Sequence, residues 1–354
     1  MELSWPMKFR IAAVCGIGIV LIGILAWPLT GSTDPFSTVL AVNLAAADVL
    51  SLIGLSVLAG FLCYFIAWPY GREIAILAVP TGLAVWAIRT ASMATLIQQK
   101  ATLANQQAQT IIETVAKRQE IFAAVKWAPL FWLGIIAAGF LGVALAHLIA
   151  AGVQNASNNN KDSHVMPTWR QIFAFGTTEH ALAPKSTFSE QSAPNEQDQK
   201  GKTSPASRLN LLINPAIGII GSLLLVQFCI MLLAQDVRFS DSNLGSVVGQ
   251  PAVGQIVFAV IASFGIAAFV IKIFLDVSYV WPIIASAFVN AYAVSLYVNQ
   301  DVLEHLVKSW PAVFFSNSIL AVLPIQMVSF GCLGALAGYW FAAQYQYWRK
   351  HSGD

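Results

Sequence analysis

Charge is what this chain of 354 residues lacks most: only 10% of its residues are Asp, Glu, Lys or Arg, against about 25% in an ordinary soluble domain. The balance is nearly even at +2, so nucleic acid as a partner has no electrostatic footprint here. Cysteine is sparse too. Cys15, Cys63, Cys229 and Cys332 each lie inside an apolar stretch, far from one another in sequence. That excludes a disulfide framework and a zinc site read from spacing, and leaves four small apolar core residues. His-Glu-x-x-His and Gly-x-Ser-x-Gly are both missing, which removes the zinc-protease and nucleophile-elbow signatures. No pair of carboxylates falls at membrane depth, which argues against an intramembrane protease or an acidic proton relay. The five histidines are scattered, so no heme-ligand pattern arises. No cofactor, metal or catalytic residue is expected. An enzyme with its chemistry at the membrane interface is the minor alternative.

What is present is apolar: 57% of the residues are hydrophobic. A spanning helix needs about 20 mostly apolar residues. Eight runs qualify or nearly so, at 11–29, 49–68, 74–96, 129–151, 211–235, 255–275, 279–298 and 325–345. They predict an all-α integral membrane protein of about eight transmembrane helices. Lys8 and Arg10 before the first run resemble a signal peptide, but the run is long and no Ala-x-Ala follows, so it reads as an uncleaved span. With both termini cytoplasmic, twelve of the 19 basic residues fall inside and seven outside, which fixes the expected orientation. Compact loops point to a bacterial inner (plasma) membrane, crossed many times. Trp-Pro occurs five times, at Trp5, Trp27, Trp68, Trp281 and Trp310. Trp prefers the headgroup layer and Pro fits a first helical turn, so the pair marks helix ends at the interface.

The chain reads as two parallel four-span halves, 1–151 and 209–354, joined by a flexible cytoplasmic linker at 152–208. The linker is rich in Asn, Gln, Ser, Lys and Pro and cannot bury enough apolar surface to fold alone. One apolar island interrupts it: Trp169, Ile172, Phe173 and Phe175. The island is a candidate for docking a partner or lying on the membrane surface. Residues 97–128 carry a modest apolar stripe. They read as an amphipathic helix on the outer surface, in preference to a solvent-projecting extension of the third span.

Three matches in the same order support a duplication. Gln119–Pro129 resembles Gln300–Pro311, Gly139-Phe140-Leu141-Gly142 resembles Gly331-Cys332-Leu333-Gly334, and 37–61 aligns without gaps on 245–269. Parallel copies put a symmetry axis along the membrane normal. Pro324 interrupts a stretch too long for one span, so 311–323 is expected as a half-helix at the outer face or one dipping back into the membrane.

Ionisable residues in spans are functional suspects by default. Asp48, Glu73, Arg89, Lys272 and Asp276 all fall near span ends and read as structural, with Lys272 and Asp276 spaced to pair. His147 reads as a hydrogen-bonded interfacial group. The deeper polar groups are amides. Asn290, Asn317 and Gln326 are the candidate solute-lining set, against the plainer reading of interhelical hydrogen bonds worth about 0.6 to 2 kcal/mol each. Small residues in Ser56-x-x-x-Gly60 and Gly334-x-x-x-Gly338 permit close helix approach. The expected function is a permease-like transporter of a neutral solute or lipid. The alternative is a non-catalytic accessory or scaffolding subunit. Expected partners are the lipid bilayer, with membrane-protein partners or a second copy of the chain.

Overall fold

A computed structural model describes residues 5–29, 38–42, 44–68, 71–90, 92–102, 111–157, 205–310 and 312–351. Within them lie eight helices long and apolar enough to cross a membrane: Trp5–Pro28, Ala46–Ile66, Gly71–Arg89, Ile111–Gly152, Ile213–Leu233, Val253–Leu275, Val280–Tyr297 and Pro324–Arg349. We call these spans one to eight. Helices satisfy their own backbone groups, which lipid cannot do. The protein is an all-α multi-pass membrane protein.

Three spans depart from regular helix. Span one passes through π-helical turns at Ile19–Leu25. Its Gly18 lies so close to span three that a Cβ would sit 2.0 Å from the Ala78 carbonyl oxygen. Span three is two helices, Gly71–Ala75 and Ala78–Arg89. Span four belongs to one 47-residue helix, Ile111–Ser157, with Pro129 inside it. This corrects the expectation for 97–128. The extension belongs to span four, and Met93–Thr102 is a separate short helix before it. Val115, Ile121 and Phe122 of the stripe are buried, which holds that part of the extension against the rest of the molecule, while Ile111 and Ile112 at its start are exposed.

The four loops after odd-numbered spans meet at one end. Trp132 Nε1 donates to the Val39 carbonyl at 3.0 Å. The Ala94 amide donates to Gln250 at 3.0 Å. Val248 and Phe315 exchange backbone hydrogen bonds at 2.8 and 2.9 Å. We call this end the cap. It contains an antiparallel hairpin, Arg238–Asp241 with Gly245–Val248, and the helix Gln300–Ser309. Gly245 takes φ +71° at the hairpin turn, a conformation glycine adopts at no steric cost. At the other end lie the short turns after spans two and six and the last turns of the helix that ends at His351. We call it the terminal face.

Residues 312–323 form neither the half-helix nor the dipping helix expected of them. They run as an extended segment bridged to Val248, then a 3-10 turn at Ser318–Ala321. Phe315 and Asn317 through Leu323 are buried. A non-helical buried segment must satisfy its backbone some other way, and side chains do so here. Asn317 accepts from the Ile319 amide at 3.0 Å, Gln326 from the Leu323 amide at 3.1 Å, and Gln250 donates to the Ala321 carbonyl at 3.2 Å.

Two further helix pairs are held close by glycine, one within residues 1–151 and one within 209–354. A Cβ on Gly142 would meet the Val57 carbonyl oxygen at 2.1 Å, and one on Gly60 the Gly139 oxygen at 2.1 Å. In the other half, Gly338 approaches the Gly265 oxygen at 2.0 Å and Gly334 the Ile261 oxygen at 2.4 Å. Spans two and four therefore pack as spans six and eight do. Between halves, span four packs on span seven, span three on span eight, and span four on span eight. Helix Ile111–Ser157 continues beyond 151, and the next described helix begins at Pro205, ahead of 209. Trp27 and Trp281 stand at helix ends, where a Trp-Pro pair is expected.

Candidate functional site

Three groups of polar side chains stand out, one at the seam under the cap, one in the cap and one at the terminal face.

At the seam, Gln326 begins span eight and is 1% exposed. Its Nε2 donates to the Ala87 carbonyl at 3.1 Å. Ala87 lies in the last turn of span three, where carbonyls lack a backbone partner in the helix, and its oxygen also accepts from Thr90 Oγ1 at 3.1 Å. Gln326 therefore closes a helix end in one half while capping the start of a helix in the other. Gln250 acts in parallel. Its Oε1 caps the start of Met93–Thr102 through the Ala94 amide, and its Nε2 reaches the Ala321 carbonyl. Gln326 bonds from span eight to span three inside buried surroundings, where a severed hydrogen bond costs about 1–3 kcal/mol, and half-buried Gln250 bonds to the helix Met93–Thr102.

The candidate solute-lining residues are split by this arrangement. Asn317 and Gln326 bracket one buried segment, and their amides are engaged with backbone. Asn290 stands on span seven, 2% exposed, and its Oδ1 has no hydrogen-bond partner among the described residues. Ser222 Oγ and Gln227 Nε2 on span five share that condition, and span five packs against span seven. Trp169, Ile172, Phe173 and Phe175 lie outside the described residues.

In the cap, Asp241 is a hub. Its carboxylate accepts from the Asn243 and Leu244 amides, each at 2.9 Å. It also accepts from His305 Nε2 at 2.9 Å and from Trp310 Nε1 at 2.8 Å. The His305 hydrogen bond leads, with the Leu244 amide, Trp310 and Asn243 adding to it. Together they outweigh burial and hold the carboxyl well below the usual carboxylate range. Ser309 Oγ stands 3.4 Å from His305 Nδ1, so the cluster has the members of a Ser-His-Asp relay. Its wiring differs from one. Asn243 Nδ2 donates to the same Nδ1 at 3.1 Å, occupying the lone pair a serine proton would need. The cluster pins the hairpin to helix Gln300–Ser309. Beside it, Phe239, Trp310 and Phe314 form an aromatic group with centroids 4.8–5.8 Å apart. An enclosed cavity of about 10 Å³ lies nearby, lined by Arg118, Phe122, Tyr297 and Phe314. That is room for one water.

At the terminal face, Tyr64 Oη and His147 Nδ1 are 2.9 Å apart across spans two and four. In the other half, Lys272 Nζ stands 5.1 Å above the Tyr339 ring across spans six and eight and pairs with Asp276. Tyr279 packs edge-on against Tyr339 at 5.2 Å. These pairs fall at equivalent places: continuing the alignment of 37–61 on 245–269 sets Tyr64 on Lys272, and continuing that of 139–142 on 331–334 sets His147 on Tyr339. The same two alignments set Val57 on Gly265 and Gly142 on Gly334, but Gly142 approaches the Val57 backbone while Gly334 approaches that of Ile261, one helical turn from Gly265. Arg89 reaches the Gly23 carbonyl at 3.5 Å and lies 5.9 Å from the Trp27 ring centroid.

Neither the role of the seam glutamines nor the Asp241 hub was read from the sequence. One signal existed for Asp241: a turn spelled Asp-Ser-Asn-Leu-Gly, in which an aspartate caps its own loop. Among the described residues, no group of three or more His, Cys, Asp and Glu could hold a metal ion. Comparison with family models, curated proteins and solved structures finds no match to this chain.

Proposed function

We propose that the protein is a non-catalytic accessory or scaffolding subunit of a membrane assembly, built from two duplicated four-span halves whose cap is a fixed platform. The observation that carries this reading is a pair of glutamines, buried Gln326 and half-buried Gln250, each with one hydrogen bond that crosses between the halves. A transporter that rocks one half against the other must break such contacts in every cycle. Here they close helix ends beside local caps, Thr90 on the Ala87 carbonyl and Ser92 on the Thr95 amide. The duplication is supported by the equivalent contacts at Tyr64–His147 and Lys272–Tyr339. It is supported too by the exchange of neighbours, span four on seven and span three on eight. Both termini and the linker at 152–208 face the cytoplasm of a bacterial cell in this reading, following the distribution of basic residues. The linker's island at Trp169, Ile172, Phe173 and Phe175 is then a docking site beside the platform.

A second reading, a permease for a neutral solute or lipid, is favoured by one observation. Asn290 holds an unpartnered, buried oxygen in span seven. Such a group is costly unless something occupies it.

Native mass spectrometry on protein extracted gently from its own membrane separates the two. A scaffold appears as a stoichiometric complex with other polypeptides, and deleting 165–176 releases them. The protein alone, or a homodimer, carrying a reproducible small-molecule mass that Asn290→Ala removes, would overturn the scaffold reading.

A further inference from the structure

An open cleft of about 430 Å³ lies on the last turns of span eight, lined by Phe341, Gln344, Tyr345, Trp348 and Arg349. These positions recur at helical spacing along one face. Phe269 of span six supports the apolar end, 5.7 Å from Phe341 and 6.1 Å from Tyr345 between ring centroids. We propose that this cleft binds an anionic phospholipid of the leaflet at the terminal face, with Arg349 holding the phosphate.

The chemistry is graded in the order a phospholipid requires. Phe341 is 65% exposed at the apolar end, suited to an acyl chain. Gln344, Tyr345 and Trp348 follow at the level where aromatic rings with polar edges prefer to lie. Arg349 closes the series. The helix rises about 12 Å between Phe341 and Arg349. A headgroup region is about 5–7 Å deep on each side of the bilayer, so the cleft reaches from hydrocarbon through to phosphate.

Charge selects the occupant. Arg238 bonds Gln235, Lys272 bonds Asp276 and Lys308 bonds Glu304. Arg349 has no such partner among the described residues, and it stands exposed at the polar end. A planar guanidinium there presents paired donors to phosphate oxygens. This inference goes beyond the proposed function and holds whichever of its two readings is correct.

The test uses the full chain in nanodiscs of equimolar phosphatidylcholine and phosphatidylglycerol, released and weighed by native mass spectrometry. Wild type should retain phosphatidylglycerol over phosphatidylcholine by about five-fold, the scale of one basic side chain at an anionic surface. Arg349→Gln should bring the two lipids near parity, and Arg349→Lys should restore part of the preference. Arg238→Gln, at the cap end, should leave it unchanged. Circular dichroism of each variant confirms that the helices are intact. Equal retention of both lipids by wild type, or an unchanged preference in Arg349→Gln, would overturn the proposal. So would a homodimer that Phe341→Ala dissolves, because a second copy of the chain would then occupy the cleft.

Discussion

Replacing Gly338 by alanine should loosen the larger of the two glycine-held helix pairs. The added Cβ would lie 2.0 Å from the Gly265 carbonyl oxygen, 2.7 Å from its carbonyl carbon and 2.8 Å from its Cα. All three are backbone atoms in mid-helix, so no side chain can swing away. Ordinary contact begins near 3.4 Å, and spans six and eight must separate by about 1.4 Å to restore it. Overpacking of this kind costs about 1–3 kcal/mol, and more where nothing can yield. We expect the upper end, about 3 kcal/mol. Gly54→Ala is the control. Nothing lies within 4 Å of its added Cβ, and alanine is the better helix former by about 0.5–1 kcal/mol. Thermal unfolding in mild detergent should place Gly338→Ala well below wild type and Gly54→Ala level with it or above. Equal midpoints for the two variants would refute the packing argument.

Gln326→Leu should cost about 1–3 kcal/mol, because the Leu323 amide and the Ala87 carbonyl each lose a buried partner. Hydrogen exchange should rise at Leu323, and unchanged exchange there would contradict the seam assignment. Asp241 sets a pH window. Its folded pKa is depressed, so its contribution is complete above the unfolded carboxylate's pKa of about 3.9 and is lost only as pH falls through the lower folded value. The protection of 238–248 against hydrogen exchange, corrected for the intrinsic pH dependence of amide exchange, should therefore be flat from neutral pH to about 4, falling only in stronger acid. Asp241→Asn should show raised exchange already at neutral pH. Asn290→Ala should leave the helical content and the cap contacts intact, as its Oδ1 has no partner to lose among the described residues. A large loss of thermal stability in that variant would show that Asn290 is structural.

Span number and class were legible in the sequence because lipid imposes a coarse rule: about 20 apolar residues, backbone satisfied within the segment. The eight runs and the eight helices coincide in number and order, with ends shifted most at Trp5, Arg89, Ile111 and Pro205. Glycine spacing at Ser56–Gly60 and Gly334–Gly338 was legible for a similar reason, since close approach demands small residues. The segment before Pro324 was not. Its hydropathy suits a half-helix, but its backbone partners are a hairpin and three amide side chains distant in sequence. For the same reason Gln326 read as a solute contact. An amide at depth looks alike in sequence whether it faces a ligand or a helix end, and only the fold brings Ala87 within reach. The extension of span four was masked by Pro129, which reads as a helix start and here lies inside one.

The most direct test of the fixed-platform account is the distance across the seam. Spin labels would replace Ile112 at the start of the span-four helix and Asp301 in helix Gln300–Ser309, both exposed on the cap, with the four native cysteines changed to alanine. Pulsed electron-spin distance measurements in nanodiscs should give one narrow distribution. It should stay unchanged when Gln344 or Arg349 is altered and broaden when Gln250 and Gln326 are both replaced by leucine. Two well-separated distances in the otherwise unaltered chain would mean that the halves move against each other, and would contradict the scaffold in favour of transport.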